Sequence, residues 1–89
     1  MALVKVAIPS MLATLVKGDR RFEVEAATVA AVLDEIFGRH PELRVHVLDE
    51  NGGLRRHVML FLNDGAIRTY HRTVDDGDSV TILQAVSGG

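Results

Sequence analysis

The sequence predicts an α+β roll, with one main helix covering one face of a four- to five-stranded sheet. Three observations lead there. Residues 3–8 and 21–25 alternate at the period of a strand, and 57–62 and 79–86 read as further strands. One stretch, after Thr28, instead repeats its apolar residues at helical spacing. A chain of 89 residues has room for a single modest core.

In LVKVAI (3–8), Val4, Val6 and Ile8 alternate with Leu3, Lys5 and Ala7, the period of a strand with one face more buried. Pro9, which lacks the N–H a ladder needs, ends it. Lys17-Gly18-Asp19 is a turn signal, and RFEVE (21–25) alternates with Phe22 and Val24 inward. The two runs predict an antiparallel hairpin with a loose loop. Thr28 suits a helix N-cap, because its hydroxyl can accept from an unpaired N–H of the first turn. Behind it, Val29, Val32, Leu33, Ile36 and Phe37 form one apolar helical stripe. Gly38 is expected to stop the helix, and Pro41 to forbid its continuation.

Between 42 and 53, Val45, Val47 and Leu48 are expected to dip into the core, and Asp49-Glu50-Asn51-Gly52-Gly53 to form a turn-rich loop. HVMLFL (57–62) is the most strand-like run. Asn63-Asp64-Gly65 turns it back into a short strand at Ala66-Ile67-Arg68. Asp75-Asp76-Gly77-Asp78 makes another turn before the last strand, SVTILQAV. One helix leaves the far face of the sheet to solvent or to a partner. The expected organisation is one domain over 1–86 and a flexible tail, Ser87-Gly88-Gly89, over 87–89.

Composition narrows the function classes. The chain has no cysteine, which removes disulfides, thiolate zinc sites and cysteine nucleophiles together and fits a cytoplasmic protein. A net charge of −2 gives no electrostatic case for nucleic acid or an anionic membrane. The apolar first sixteen residues are interrupted by Lys5 and Pro9 and lack the pattern of a leader, and no run approaches membrane-spanning length. His40, His46, His57 and His71 have no compact ligand spacing. Asp75, Asp76 and Asp78 lack the distal glutamate of a calcium loop. Gly52-Gly53 and Gly65 are not followed by the Gly-Lys-Ser/Thr of a phosphate loop. Metal and bound cofactor are therefore both expected to be absent. Arg20-Arg21 and Arg55-Arg56 read as solvated or partner-facing charges, since aromatics at 4% are too few for base stacking.

The element order, Asn63-Asp64 after an apolar strand, DGDSVTIL over 76–83, and Gly88-Gly89 following within six residues resemble, together, the ubiquitin-like sulfur carriers. These include the small subunit of molybdopterin synthase, the thiamine sulfur carrier and the longer actinobacterial carrier of cysteine synthesis. The likeness spans essentially the whole chain, and residues 38–62 look most like the cysteine type. The resemblance implies a β-grasp fold with a mixed sheet. It also implies that an E1-like adenylyltransferase uses ATP to adenylate the Gly89 carboxylate. Sulfur then replaces AMP to give a thiocarboxylate, and a sulfur-accepting biosynthetic enzyme takes it up. The protein would be a cosubstrate rather than an enzyme, with no bound cofactor. A JAMM-type metalloprotease is a further candidate partner. Cysteine synthesis leads among the pathways; molybdopterin, thiamine and secondary metabolites stay open.

The residue types suit that chemistry. A carboxylate is a poor electrophile, and adenylation gives it a leaving group. Gly88 and Gly89 have no Cβ and can thread a narrow channel in another protein. Ser87 is small, and Val86 gives the tail a firm base. If Val58, Leu60 and Leu62 face the helix, then His57, Met59 and Phe61 face away. The same alternation puts Val80 and Ile82 inward and Thr81 and Leu83 outward. Met59, Phe61 and Leu83 are thus the candidate docking patch, with Val86 and Ser87 beside it. Two other functions fit the same features: a modifier joined through Gly89 to lysines of other proteins, and a non-catalytic β-grasp interaction domain.

Overall fold

Alternation in the sequence becomes five strands in one sheet. β1 (Ala2–Ala7) and β2 (Arg21–Ala26) pair antiparallel, and β5 (Ser79–Gln84) lies parallel beside β1. β3 (Val58–Leu62) runs antiparallel to β5, and the short β4 (Gly65–Ile67) pairs with β3 at the edge. The order is β2-β1-β5-β3-β4. The computed structural model describes residues 1–85 of the 89, so the expected last residue of the final strand, Val86, and the tail Ser87-Gly88-Gly89 lie outside the described residues. The mixed sheet with one main helix is the β-grasp roll.

Register stacks the apolar residues in rows. Val6 stands between Phe22 and Val80, and Leu60 between Ile82 and Ile67. Val4, Val6, Val24, Val58, Leu60, Val80 and Ile82 are all buried on this face. Helix α1 (Val29–Arg39) contributes Val29, Val32, Leu33, Ile36 and Phe37 to the same core, as its stripe requires.

The start of α1 is capped from two sides. The Thr28 hydroxyl accepts from the Ala31 N–H at 3.2 Å. The N–H groups of Val29 and Ala30 donate to the carbonyls of Arg72 and Tyr70 at 2.9 and 2.8 Å. Three donors that a helix N-terminus leaves unpaired are thereby satisfied, two of them by the chain leading into β5.

Three expectations are corrected. The connection between β1 and β2 is not loose: Ser10–Val16 form a 3-10 helix that buries Leu12 and Val16 before Lys17 (φ 53°) and Gly18 (φ 83°) turn the chain. Gly38 does not stop α1. It lies within the helix and lacks the positive φ of a C-terminal glycine, and the helix runs to Arg39. The stop comes at His40, which leaves the helical region (φ −134°, ψ 80°) because a following proline disfavours it there. Pro41 then opens a 3-10 turn, Pro41–Leu43, that continues into the one-turn helix α2 (Arg44–Val47). Val45 does not reach the core but is 64% exposed, while Leu43, Val47 and Leu48 are buried. Leu43 and Val47, four apart, share the inner face of this turn, and Val45 between them faces outward. The loop after Leu48 is turn-rich as expected: the Asp49 carboxylate accepts from the N–H groups of Asn51 and Gly53.

Candidate functional site

The face of the sheet opposite α1 carries the residues that alternation sends outward. Met59 on β3 stands directly across from Leu83 on β5, and Phe61 from Thr81. Met59 is 43% and Leu83 44% exposed, and Phe61 is half-buried. The segment from Pro41 to Leu54 does not cover them, because Leu43, Val47 and Leu48 hold it in the core on the α1 side. The three residues read from the sequence as a patch therefore adjoin on one open face.

The last described residue, Ala85, lies beside this patch. The Ala85 N–H donates to the His57 carbonyl at 2.7 Å, carrying the β3–β5 ladder one residue past β5. Val86, Ser87, Gly88 and Gly89, the other candidate site residues, lie outside the described residues.

The other end of β5 is fixed by the residues of the Asp-Gly-Asp-Ser stretch. Asp78 accepts from the Asp75 N–H at 2.8 Å and from the Asn63 amide at 3.1 Å. Asn63 in turn accepts from the Ser79 N–H at 2.9 Å, and its own N–H donates to the Ser79 carbonyl at 2.7 Å. Asp76 accepts from the Leu3 N–H at 2.7 Å, and Gly77, at φ 88°, donates to the Leu3 carbonyl. The Asp75 N–H, and after it the Asn63 amide, hold the Asp78 carboxyl below the usual carboxylate range. The role of this stretch is structural: it ties β1, the β3–β4 turn and β5 together and so sets the register of the strand that carries the tail. Among the described residues no group of three or more His, Cys, Asp or Glu side chains could hold a metal ion, and no helix is long and apolar enough to cross a membrane.

A second polar cluster was not anticipated. Asp19 accepts from Arg39 Nε at 2.7 Å and hydrogen-bonds His40 Nε2 at 2.9 Å. The Arg39 guanidinium lies 4.3 Å over the Phe22 ring. Arg39 first, then His40, lowers the Asp19 carboxyl below its ordinary range. The cluster fastens the β1–β2 connection to the end of α1. Asp19 and Arg39 lie twenty positions apart in no recognisable pattern, so the sequence carries no signal for it. Arg20 and Arg55, which read as solvated or partner-facing charges, each donate to a backbone carbonyl, of Ile8 and Val45 respectively. Arg21 remains exposed on the open face, across from Ala7.

Comparison with known proteins follows the same lines. The ThiS family matches residues 8–89. The sulfur carrier protein CysO of Mycobacterium tuberculosis is 32% identical over 91 residues, covering 97% of this chain and 98% of its own. A chain in the crystal structure of the Amycolatopsis orientalis BexX/CysO complex is 35% identical, with a TM-score of 0.85 over 97% of this chain and 99% of that one. SAMP1 from Haloferax volcanii gives a TM-score of 0.86 at 28% identity, over 99% and 100% of the two chains. With the roll, the capped helix and the match over nearly its full length, the chain belongs to the ThiS family of ubiquitin-like sulfur carriers.

Proposed function

We propose that the protein carries sulfur as a thiocarboxylate on Gly89. The observation that carries this reading is the family match, which runs through Gly88 and Gly89. The anchoring of Ala85 beside the exposed Met59–Leu83 pair supports it, since a docked partner would receive the tail from a fixed point. The Gly89 carboxylate oxygen attacks the α-phosphate of ATP in an E1-like enzyme and displaces pyrophosphate. Sulfide then attacks the acyl carbon of the adenylate and expels AMP, leaving C-terminal COS⁻. The carrier holds no cofactor of its own; ATP is spent by the activating enzyme. Met59, Phe61 and Leu83, with Val86 and Ser87, form the contact surface, and Gly88 threads the channel.

The acceptor is a biosynthetic enzyme in the cytoplasm, of the cysteine type on the likeness to CysO, with a JAMM-type metalloprotease as a further partner. That a relative is known in complex with BexX supports docking on a partner protein. A second reading, conjugation through Gly89 to lysines of other proteins, is favoured by the likeness to SAMP1; lysine-linked diglycine adducts on cellular proteins would establish it. The activation step is tested by ATP–pyrophosphate exchange with the E1-like enzyme. Gly88→Val, or one residue added after Gly89, is expected to lower exchange by about 10²-fold or more through misplacement of the reacting carboxylate. Both variants should melt as the wild type does. Full exchange by either variant would contradict the proposal.

A further inference from the structure

The open face is not uniformly apolar. One row of the sheet reads Arg21, Ala7, Thr81, Phe61 and Ala66 from β2 to β4. Lys5 stands in the next row, between Glu23 and Ser79. Between these rows lies a shallow hollow lined by Lys5, Arg21, Glu23, Ser79 and Thr81. On the far side of the patch Arg68, the residue after β4, is exposed, as is Ala66, while Ile67 between them is buried. Alternation places Arg68 on the open face. Met59, Phe61 and Leu83 are therefore bordered by cations on both sides, in a chain whose net charge is −2. Among the described residues Lys5, Arg21 and Arg68 form no salt bridge; the pairs present both involve Asp19.

We propose that this face docks on a protein whose apolar seat is bordered by carboxylates, one of which enters the hollow between Arg21 and Lys5. The Arg21 guanidinium offers a planar fork to a carboxylate, and Thr81 adds a hydroxyl on the hollow's wall. Glu23 faces Lys5 across the strand pair and competes with the incoming carboxylate for it, so Arg21 does most of the reading. A phosphate-rich partner, nucleic acid or anionic membrane, fits worse: it would leave Met59 and Leu83 without an apolar seat, and Glu23 and Glu25 on the same face repel it. The inference rests on the sulfur-carrier reading for the identity of the partner, the E1-like enzyme.

The test is the KM of the carrier in ATP–pyrophosphate exchange with that enzyme, measured at rising salt. Charges at the border of an interface act on encounter and on salt dependence. Arg21→Glu and Arg68→Glu are each expected to raise KM about tenfold at low salt and to flatten its rise with salt, with kcat changed little. Arg21→Lys should recover part of the loss, because it restores the charge but not the planar fork. Glu23→Gln should lower KM, an improvement that a merely structural role does not produce. A KM indifferent to salt and to both reversals, while exchange proceeds, would overturn the inference and leave the carrier reading standing. No exchange with wild-type carrier would remove that reading and this one with it. Self-association lost in the same variants, or binding to anionic vesicles lost in them, would overturn it by giving the face a different occupant.

Discussion

Asp19 and Asn63 make bonds that fix the fold from two different turns. Asp19 is ionised against Arg39 and His40, and its folded-state pKa is depressed, chiefly by Arg39. A carboxylate of this kind contributes stability above its unfolded pKa and loses it as pH falls through the folded value. Asp78, lowered by the Asp75 N–H and the Asn63 amide, acts in the same direction. Both are open to solvent, so the effect is modest. Thermal melts should show Asp19→Asn less stable than wild type at neutral pH, with the gap closing as pH falls through and below the ordinary aspartate range. Asn63 sits at φ 54° and spends its side chain on Asp78 and Ser79. Asn63→Ala removes both bonds and leaves a strained φ, an expected loss of about 2 kcal/mol. Asn63→Gly should cost less, because glycine tolerates that φ; chemical denaturation measures the difference. The Asn-Asp-Gly turn was plain in the sequence. The reach of the Asn63 side chain to β5 was not, because it joins positions brought together only by the sheet.

At the scale of elements, regular periods survived and short pieces did not. The α1 stripe and its Thr28 cap were legible because eleven residues repeat one face three times. Thr28→Ala should cost about 1 kcal/mol in equilibrium unfolding, the usual worth of such a cap. The 3-10 helix Ser10–Val16 buries only Leu12 and Val16, too few contacts to set a period. Over 41–47 the chain takes two brief helical pieces, and no spacing there says which residue turns outward, so Val45 reads as core from the sequence alone. Gly38 and Pro41 both signal a stop in the sequence; proline's restriction of its predecessor prevails over glycine's mere permissiveness.

Across the whole molecule, one face of the sheet holds the fold and the other is free for a partner. Leu60 and Met59 are adjacent in β3 yet lie on opposite faces. Leu60 is fully buried, and Leu60→Ala should cost about 2–5 kcal/mol. Met59→Asp and Leu83→Asp should each shift stability by only about 0.5 kcal/mol, the range of surface changes. They should nevertheless weaken carrier activation as a rise in KM; if stability instead fell by several kcal/mol as KM rose, the two faces would not be separable. Alternation alone exposed Met59, Phe61 and Leu83 to a reader of the sequence. The parallel pairing of β1 with β5 did not show there, and with it went the hollow that sets Arg21 and Lys5 beside Thr81. The role proposed for Gly88 and Gly89 rests on family resemblance, since no pattern of spacing implies an activated carboxylate.

Sulfur transfer to Gly89 is the step we propose. The direct measurement is the intact mass of the protein after incubation with the E1-like enzyme, ATP and sulfide. The mass should rise by the difference between one sulfur and one oxygen, and the rise should vanish when Gly89 is deleted. An unchanged mass with an activating enzyme from the same cell, or a gain that persists without Gly89, would contradict it.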